Sequence, residues 1–143
     1  MNLNTEHLVR CIETLDGSLD RLHRAETGTL DYEIFRNAVI KGFELTLETT
    51  GKLLRRALKA YTGRPREIDQ LTFREILRHA AKHELLSPEA VERWFTYREN
   101  RNTTAHDYGE AFAEETLVLL PEFLLDARAL EAVLRARLGH AGP

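Results

Sequence analysis

The chain has 143 residues, 43% hydrophobic and 30% charged, enough for one domain around one core and too apolar for a disordered protein. Its formal net charge of −3 argues against a broad basic face that grips long nucleic acid, while leaving room for a local basic cleft. A single cysteine, Cys11, excludes an internal disulfide and a thiolate metal site and suits a reducing cytoplasm. No apolar run approaches the roughly 18 residues of a membrane span, and the first residues lack the basic-then-apolar pattern of a signal peptide.

Leu8, Ile12, Leu15, Leu19 and Leu22 alternate steps of four and three, which predicts an amphipathic first helix stopped near Gly28. A second, longer helix carries Phe35, Val39, Phe43, Leu47, Leu54, Leu58 and Tyr61 on one side and ends at Gly63 and Pro65. Thr72 with Glu75 reads as a capping box that starts a third helix through Ile76, Leu77 and Ala80. Ser87-Pro88-Glu89 supplies a cap, a first-turn proline and an acid at the positive end of a fourth helix, which should bury Val91, Trp94 and Phe95. After a polar stretch, a last helix runs from Phe112 to Leu138, with Pro121 expected to kink or split it. Strand patterns are nearly absent. The expectation is an all-α fold, one domain over 1–143, built as a bundle of four to five helices with a frayed tail at 140–143. The long helices carry more apolar residues than one stripe needs, with Leu45 near Leu47 and Leu53 beside Leu54, which predicts a homodimer that buries the surplus.

The chemistry concentrates between Arg98 and Gly109, in Arg101-Asn102-Thr-Thr-Ala-His106-Asp107-Tyr108. Arg101 lies seven residues after Trp94 and extends the inward stripe of the fourth helix. The plain reading is that Arg98 and Arg101 offset the negative helix end. A second reading pairs Arg101 with His106. Cleaving RNA without metal needs a base for the 2′-hydroxyl proton and a cation for charge building on the phosphate. Histidine titrates near neutrality, and arginine presents a fork of donors to phosphate oxygens. Tyr108 can stack on a base, donate a hydrogen bond, or close the bundle end as an aromatic.

That segment resembles the Arg–four residues–His–any–Tyr motif of the HEPN superfamily. It is most similar to the small HEPN proteins paired with a minimal nucleotidyltransferase (MNT), known as nucleotidyltransferase substrate-binding proteins. Gly42-Phe43-Glu44-Leu45-Thr46-Leu47-Glu48, Phe73-Arg-Glu-Ile-Leu-Arg and Trp94-Phe95 carry the same likeness, which covers about residues 31–135. The resemblance implies an antiparallel, dimeric bundle that brings two motifs into one cleft. In catalytic members the pair acts as a metal-independent endoribonuclease, restrained by the nucleotidyltransferase as antitoxin. Carried onto this chain, Arg101 stabilises the phosphate, His106 is the general base, Asn102 orients the pair, and Tyr108 is the residue that accepts AMP. An alternative from another class is a non-catalytic accessory subunit that binds a nucleotidyltransferase and its substrate nucleotide.

Other patterns are weaker. Glu44 and Glu48 share a helix face, which reads either as a solvated face with Lys41 and Lys52 or, for Glu44, as part of the cleft. His79 and His83 have two-ligand spacing but no third ligand, so no metal and no cofactor is expected. Gly17-Ser18 between Asp16 and Asp20 suggests a nucleotidyltransferase signature, but it sits in a helical stripe without strands. The chain therefore reads as the partner of such an enzyme rather than the enzyme.

Overall fold

The structure, a computed structural model, describes residues 2–104 and 110–139, the side chains of 101–104 and 110–112 excepted. Among them are helices α1 (Glu6–Arg24), α2 (Leu30–Leu58), α3 (Pro65–Ile68), α4 (Phe73–Lys82), α5 (Pro88–Thr104) and α6 (Glu110–Leu138), with a 3-10 turn at Lys59–Tyr61 after α2. Five of these helices have ten residues or more, as the periodicity predicts. The short α3 was not foreseen: Pro65 at its first turn starts a helix where the sequence suggested only an end.

Side-chain pairings fix the topology. Leu15 meets Gly42 and Cys11 meets Thr49, so α1 and α2 run antiparallel. The turn between them holds Gly28 at φ +88°, a left-handed backbone that glycine adopts without strain. Asp16 pairs with Arg128 and Thr5 with Glu131, which sets α6 antiparallel to α1. Arg74 and Arg78 meet Phe95 while Phe73 meets Arg98, so α4 and α5 are antiparallel. Arg93 meets Asp126 and Asn100 meets Thr116, giving the same relation for α5 and α6. The result is the antiparallel helical bundle that the resemblance implies.

All five predicted residues of α1 are buried, as are Val39, Phe43, Leu47, Leu54 and Leu58 of α2 and Ile76, Leu77 and Ala80 of α4. Each large aliphatic or aromatic side chain so buried contributes about 1.5–3 kcal/mol relative to exposure. Buried Thr46 and Thr50 satisfy their hydroxyls by donating to the Gly42 and Thr46 carbonyls, at 2.7 and 2.8 Å. Leu53, read as surplus, belongs to the core at 7% exposure, whereas Leu45 is 44% exposed. Phe35 and Tyr61 pack only partly against the core.

Pro121 does not split α6, which runs unbroken from Glu110 to Leu138. An interior proline costs about 3 kcal/mol, but Leu120 and Phe123 are fully buried on either side of it, and their packing outweighs that cost. The expected frayed tail at 140–143 lies outside the described residues.

Candidate functional site

Helix α5 carries the first half of the motif, and its start follows the sequence logic. The Ser87 hydroxyl accepts a hydrogen bond from the Ala90 amide at 3.1 Å, and Pro88 occupies the first turn, where its missing N–H costs nothing. Val91, Trp94 and Tyr97 then point inward. Trp94, Tyr97 and Phe123 form a triangle of edge-on rings with centroids 5.0–5.5 Å apart, and Phe43 joins it from α2 at 4.8 Å. The Trp94 indole N–H has no partner among the described residues.

A polar bond set locks the same helix to α6. Arg93 donates from Nε and Nη2 to the two Asp126 oxygens, each at 2.8 Å, and the Tyr97 hydroxyl donates to Asp126 at 2.5 Å. Burial, then the bond to Asp126, pushes the Tyr97 phenol well above its usual value. The hydrogen bond to Asp126 raises the Arg93 guanidinium in the same way. One turn further, the Asn100 side chain donates to the Thr116 hydroxyl at 3.0 Å. The backbone immediately before Arg101 is therefore held on two sides, by rings and by hydrogen bonds.

Arg101 and Asn102 lie on the last turn of α5. Their side chains, and the whole of His106 and Tyr108, fall outside the described residues. Glu44 is half-buried beside Phe43 on α2, and no described contact brings it to the end of α5. Glu48 pairs with Lys52 at 3.1 Å, the solvated arrangement weighed for this face. His83 stacks on Tyr61 with centroids 4.7 Å apart. Asp16 pairs with Arg128 and Asp20 with Arg24, all within helices. Among the described residues, no group of three or more His, Cys, Asp or Glu side chains could hold a metal ion. No helix among them is long and apolar enough to cross a membrane.

One feature beside the motif was missed by sequence reasoning. Thr72, Phe73, Arg74, Phe95, Arg98 and Glu99 line a cavity of about 400 Å³ between the start of α4 and the outer face of α5. Phe95 was expected in the core. It is instead partly buried: it packs against the edge of the core, and Arg74 and Arg78 of α4 lie over its ring, at 4.3 and 5.9 Å from the centroid. Arg98 lies over the Phe73 ring at 5.1 Å. Phe73 in turn seats against Gly51, where an added Cβ would come within 2.9 Å of the ring. Arg74 and Arg78 are four residues apart on α4, and only the packing of α4 on α5 reveals that both meet Phe95.

Comparison with known proteins follows the same lines. Residues 3–136 match the family model described as nucleotidyltransferase substrate binding protein like. A Haemophilus influenzae protein named "Probable ribonuclease HepT" is 30% identical over 98 residues, which span 68% of this chain and 66% of that relative. The fold is shared with a Haemophilus influenzae structure described as a substrate binding domain of a nucleotidyltransferase, at TM-score 0.79 and 22% identity, covering 92% of this chain and 99% of the other. It is shared also with a tri-AMPylated Shewanella oneidensis HEPN toxin in complex with its MNT antitoxin, at TM-score 0.62 and 15% identity, covering 91% and 97%.

Proposed function

The chain belongs to the nucleotidyltransferase substrate binding protein like family, and from that premise we propose that it is a metal-independent HEPN endoribonuclease, the toxin of a pair whose antitoxin is a minimal nucleotidyltransferase. The observation that carries this reading is the Arg101–Asn102–His106–Tyr108 motif, which begins on the last turn of a helix anchored on both sides. The relative named as a ribonuclease and the AMPylated toxin of the same fold support it.

In this reading His106 removes the proton from a ribose 2′-hydroxyl, and the 2′-oxygen attacks the adjacent phosphorus. The bond to the 5′-oxygen breaks, and that oxygen takes a proton from water. The products are a 2′,3′-cyclic phosphate and a free 5′-hydroxyl. Arg101 holds the phosphate oxygens as charge builds on them, and Asn102 orients the pair. Two motifs in a homodimer share one groove, which concentrates positive charge that a single acidic chain lacks. Exposed Leu30, Ile34 and Leu45 on α2 and Val118 and Leu125 on α6 supply apolar surface for such a contact. Light scattering should show a dimer at micromolar concentration.

The alternative, a non-catalytic subunit that binds a nucleotidyltransferase and its substrate nucleotide, is favoured by the family description and by the description of the Haemophilus structure. Purified protein on labelled RNA separates the two. Cleavage should survive EDTA, yield cyclic phosphate ends, and fall about a hundred-fold or more in Arg101→Ala or His106→Ala. Activity abolished by EDTA and untouched by both substitutions would remove the mechanism.

A further inference from the structure

A second cavity, of about 220 Å³, lies where the end of α4 meets the segment between α2 and α4. Because α4 and α5 are antiparallel, the end of α4 lies beside the start of α5, about 20 Å along that helix from Arg101. The lining is mixed. Buried Leu58 and Ile68 and half-buried Leu71 give it apolar surface. Tyr61 and His83 line it as a stacked pair, with ring centroids 4.7 Å and planes 22° apart. His79, Lys82 and His83 fall at i, i+3 and i+4, so they share one face at the end of α4, and all three line the cavity.

The walls are held in place before any ligand arrives. Arg55 of α2 donates to the Ile68 and Leu71 carbonyls at 2.5 and 2.9 Å, and Arg137 of α6 donates to the His83 and Glu84 carbonyls at 2.8 and 3.0 Å. A site built in advance loses less conformational freedom on binding. The plain role for the cations at the end of α4 is to complement its carbonyls. Those of His79, Ala80 and Ala81 already accept from the amides of His83, Leu85 and Glu84. The nearby carboxylates are engaged as well: Glu67 by Arg64 at 3.3 Å, Asp69 by Lys59 at 2.8 Å, and Glu75 by the Thr72 amide at 3.0 Å. Exposed Lys82 has no carboxylate partner among the described residues. Beside it each imidazole offers at least one N–H donor in any protonation state, and the Thr62 hydroxyl, which accepts from the Arg64 amide, keeps its own O–H to donate.

We propose that this cavity is a binding site for a small ligand made of one planar ring and one anionic group, with the ring against Tyr61, His83 and the aliphatic lining and the anion at Lys82. Size sets the ring count. A cavity of about 150 Å³ holds benzene, and drug-sized ligands occupy about 300 Å³ or more, so this volume suits a single ring with a short substituent. Charge sets the substituent, since an ammonium and neutral donors surround a carboxylate or a phosphate and leave a cation unmet. An aromatic carboxylic acid and a pyrimidine nucleoside monophosphate both present this chemistry. The site lies apart from the motif and is independent of the ribonuclease reading.

The test is calorimetric titration of the full chain with 4-hydroxybenzoate and with CMP. At least one of them should bind with Kd below about 1 mM, in keeping with a ligand of its size. Tighter binding of 4-hydroxybenzoate assigns the site to an aromatic acid, and tighter binding of CMP assigns it to a nucleotide. Cyclohexanecarboxylate, which keeps the charge and loses the flat ring, should bind about fivefold more weakly than 4-hydroxybenzoate. For the probe that binds, Lys82→Gln should weaken affinity about tenfold and Tyr61→Leu about fivefold. Lys41→Gln, an exposed lysine on α2, controls for general charge and should change nothing. Lys82→Gln alters an exposed side chain only, so it keeps the test open if Tyr61→Leu disturbs the fold. Arg101 and His106 stay intact throughout, so RNA cleavage is a separate measurement. The proposal is overturned if neither probe binds, if inorganic phosphate binds as tightly as CMP, if Lys41→Gln and Lys82→Gln lose affinity equally, or if Lys82→Gln binds like wild type.

Discussion

Tyr97 donates its phenolic hydrogen to Asp126 at 2.5 Å, one turn before Arg101, and the same carboxylate takes two bonds from Arg93. Tyr97 is almost wholly enclosed at 1% exposure, and Asp126 at 8%. A buried carboxylate survives only where its lone pairs are filled, and here three donors from one helix fill them. The effect is to fix the rotation of α5 relative to α6 just where the motif begins.

Removing that acceptor should be costly. Asp126→Ala leaves the Tyr97 hydroxyl buried without a partner and should lower stability by about 2–4 kcal/mol. Arg93 keeps 38% of its side-chain exposure, so solvent screens its share and the hydroxyl accounts for most of the loss. Tyr97→Phe, which keeps the ring and the two arginine bonds, should lose only about 1 kcal/mol. Urea titration measures both. A loss below about 1 kcal/mol for Asp126→Ala would show that the bond set does not hold α5.

The same phenol predicts a response to base. Its value in the folded chain is raised by burial and by Asp126, so the neutral form is favoured in the native state. Its contribution is complete below the unfolded value near 10 and is lost as pH rises from there towards the raised native value. The difference in unfolding free energy between wild type and Tyr97→Phe should be constant to about pH 9, then shrink at up to about 1.4 kcal/mol per pH unit. A difference that stays flat to pH 11 would mean that Tyr97 ionises freely in the fold.

Glu84 occupies the left-handed region at φ +61° in the turn after α4. The Leu85 amide donates to the Ala80 carbonyl at 2.8 Å and the Glu84 amide to Ala81 at 3.0 Å, the paired bonds of a Schellman stop. Glycine fits that position and glutamate is strained there. The Glu84 carbonyl also accepts from Arg137 of α6, a backbone bond that any residue provides. Glu84→Gly should therefore raise stability by about 0.5–1 kcal/mol, read as a higher urea midpoint at unchanged slope. A lower midpoint would mean that the carboxylate carries an interaction worth more than the strain.

Local patterns were legible because their partners lie within one helix. The α1 stripe is buried as spaced, and the Thr72–Glu75 capping box is present, with its reciprocal bonds at 3.1 and 3.0 Å. The features that escaped depend on helices meeting across the fold. Arg93 and Asp126 are 33 positions apart and nothing in either neighbourhood names the other. Phe95 looked like core by spacing, and only the arrival of Arg74 and Arg78 shows that it sits at the core's edge under two guanidinium groups. Pro121 was expected to kink or split the last helix; the helix is not split, since the local cost is visible in the sequence and the packing that outweighs it is not. For the site, the motif was readable as a string, and the structure adds the backbone position of Arg101 and Asn102 and the arginine–phenylalanine cavity next to them.

Tyr108 carries the sharpest functional consequence. It stands two residues after His106. Transfer of AMP from ATP to its hydroxyl, with release of pyrophosphate, would place a bulky phosphodiester close to Arg101 and His106. On the proposed ribonuclease reading, that negative charge would compete for Arg101 and repel the RNA backbone, so the interaction that enables cleavage would become the means of stopping it. Incubation with a cognate nucleotidyltransferase and ATP should add AMP to wild type and leave Tyr108→Phe unmodified at that position, as read by intact mass and peptide mapping. Phenylalanine keeps the ring and removes the acceptor oxygen, so the variant should stay folded, retain cleavage within about tenfold of wild type, and escape inhibition by the partner. A wild-type chain that stays unmodified, or a Tyr108→Phe chain that is silenced equally well, would take Tyr108 out of the regulation.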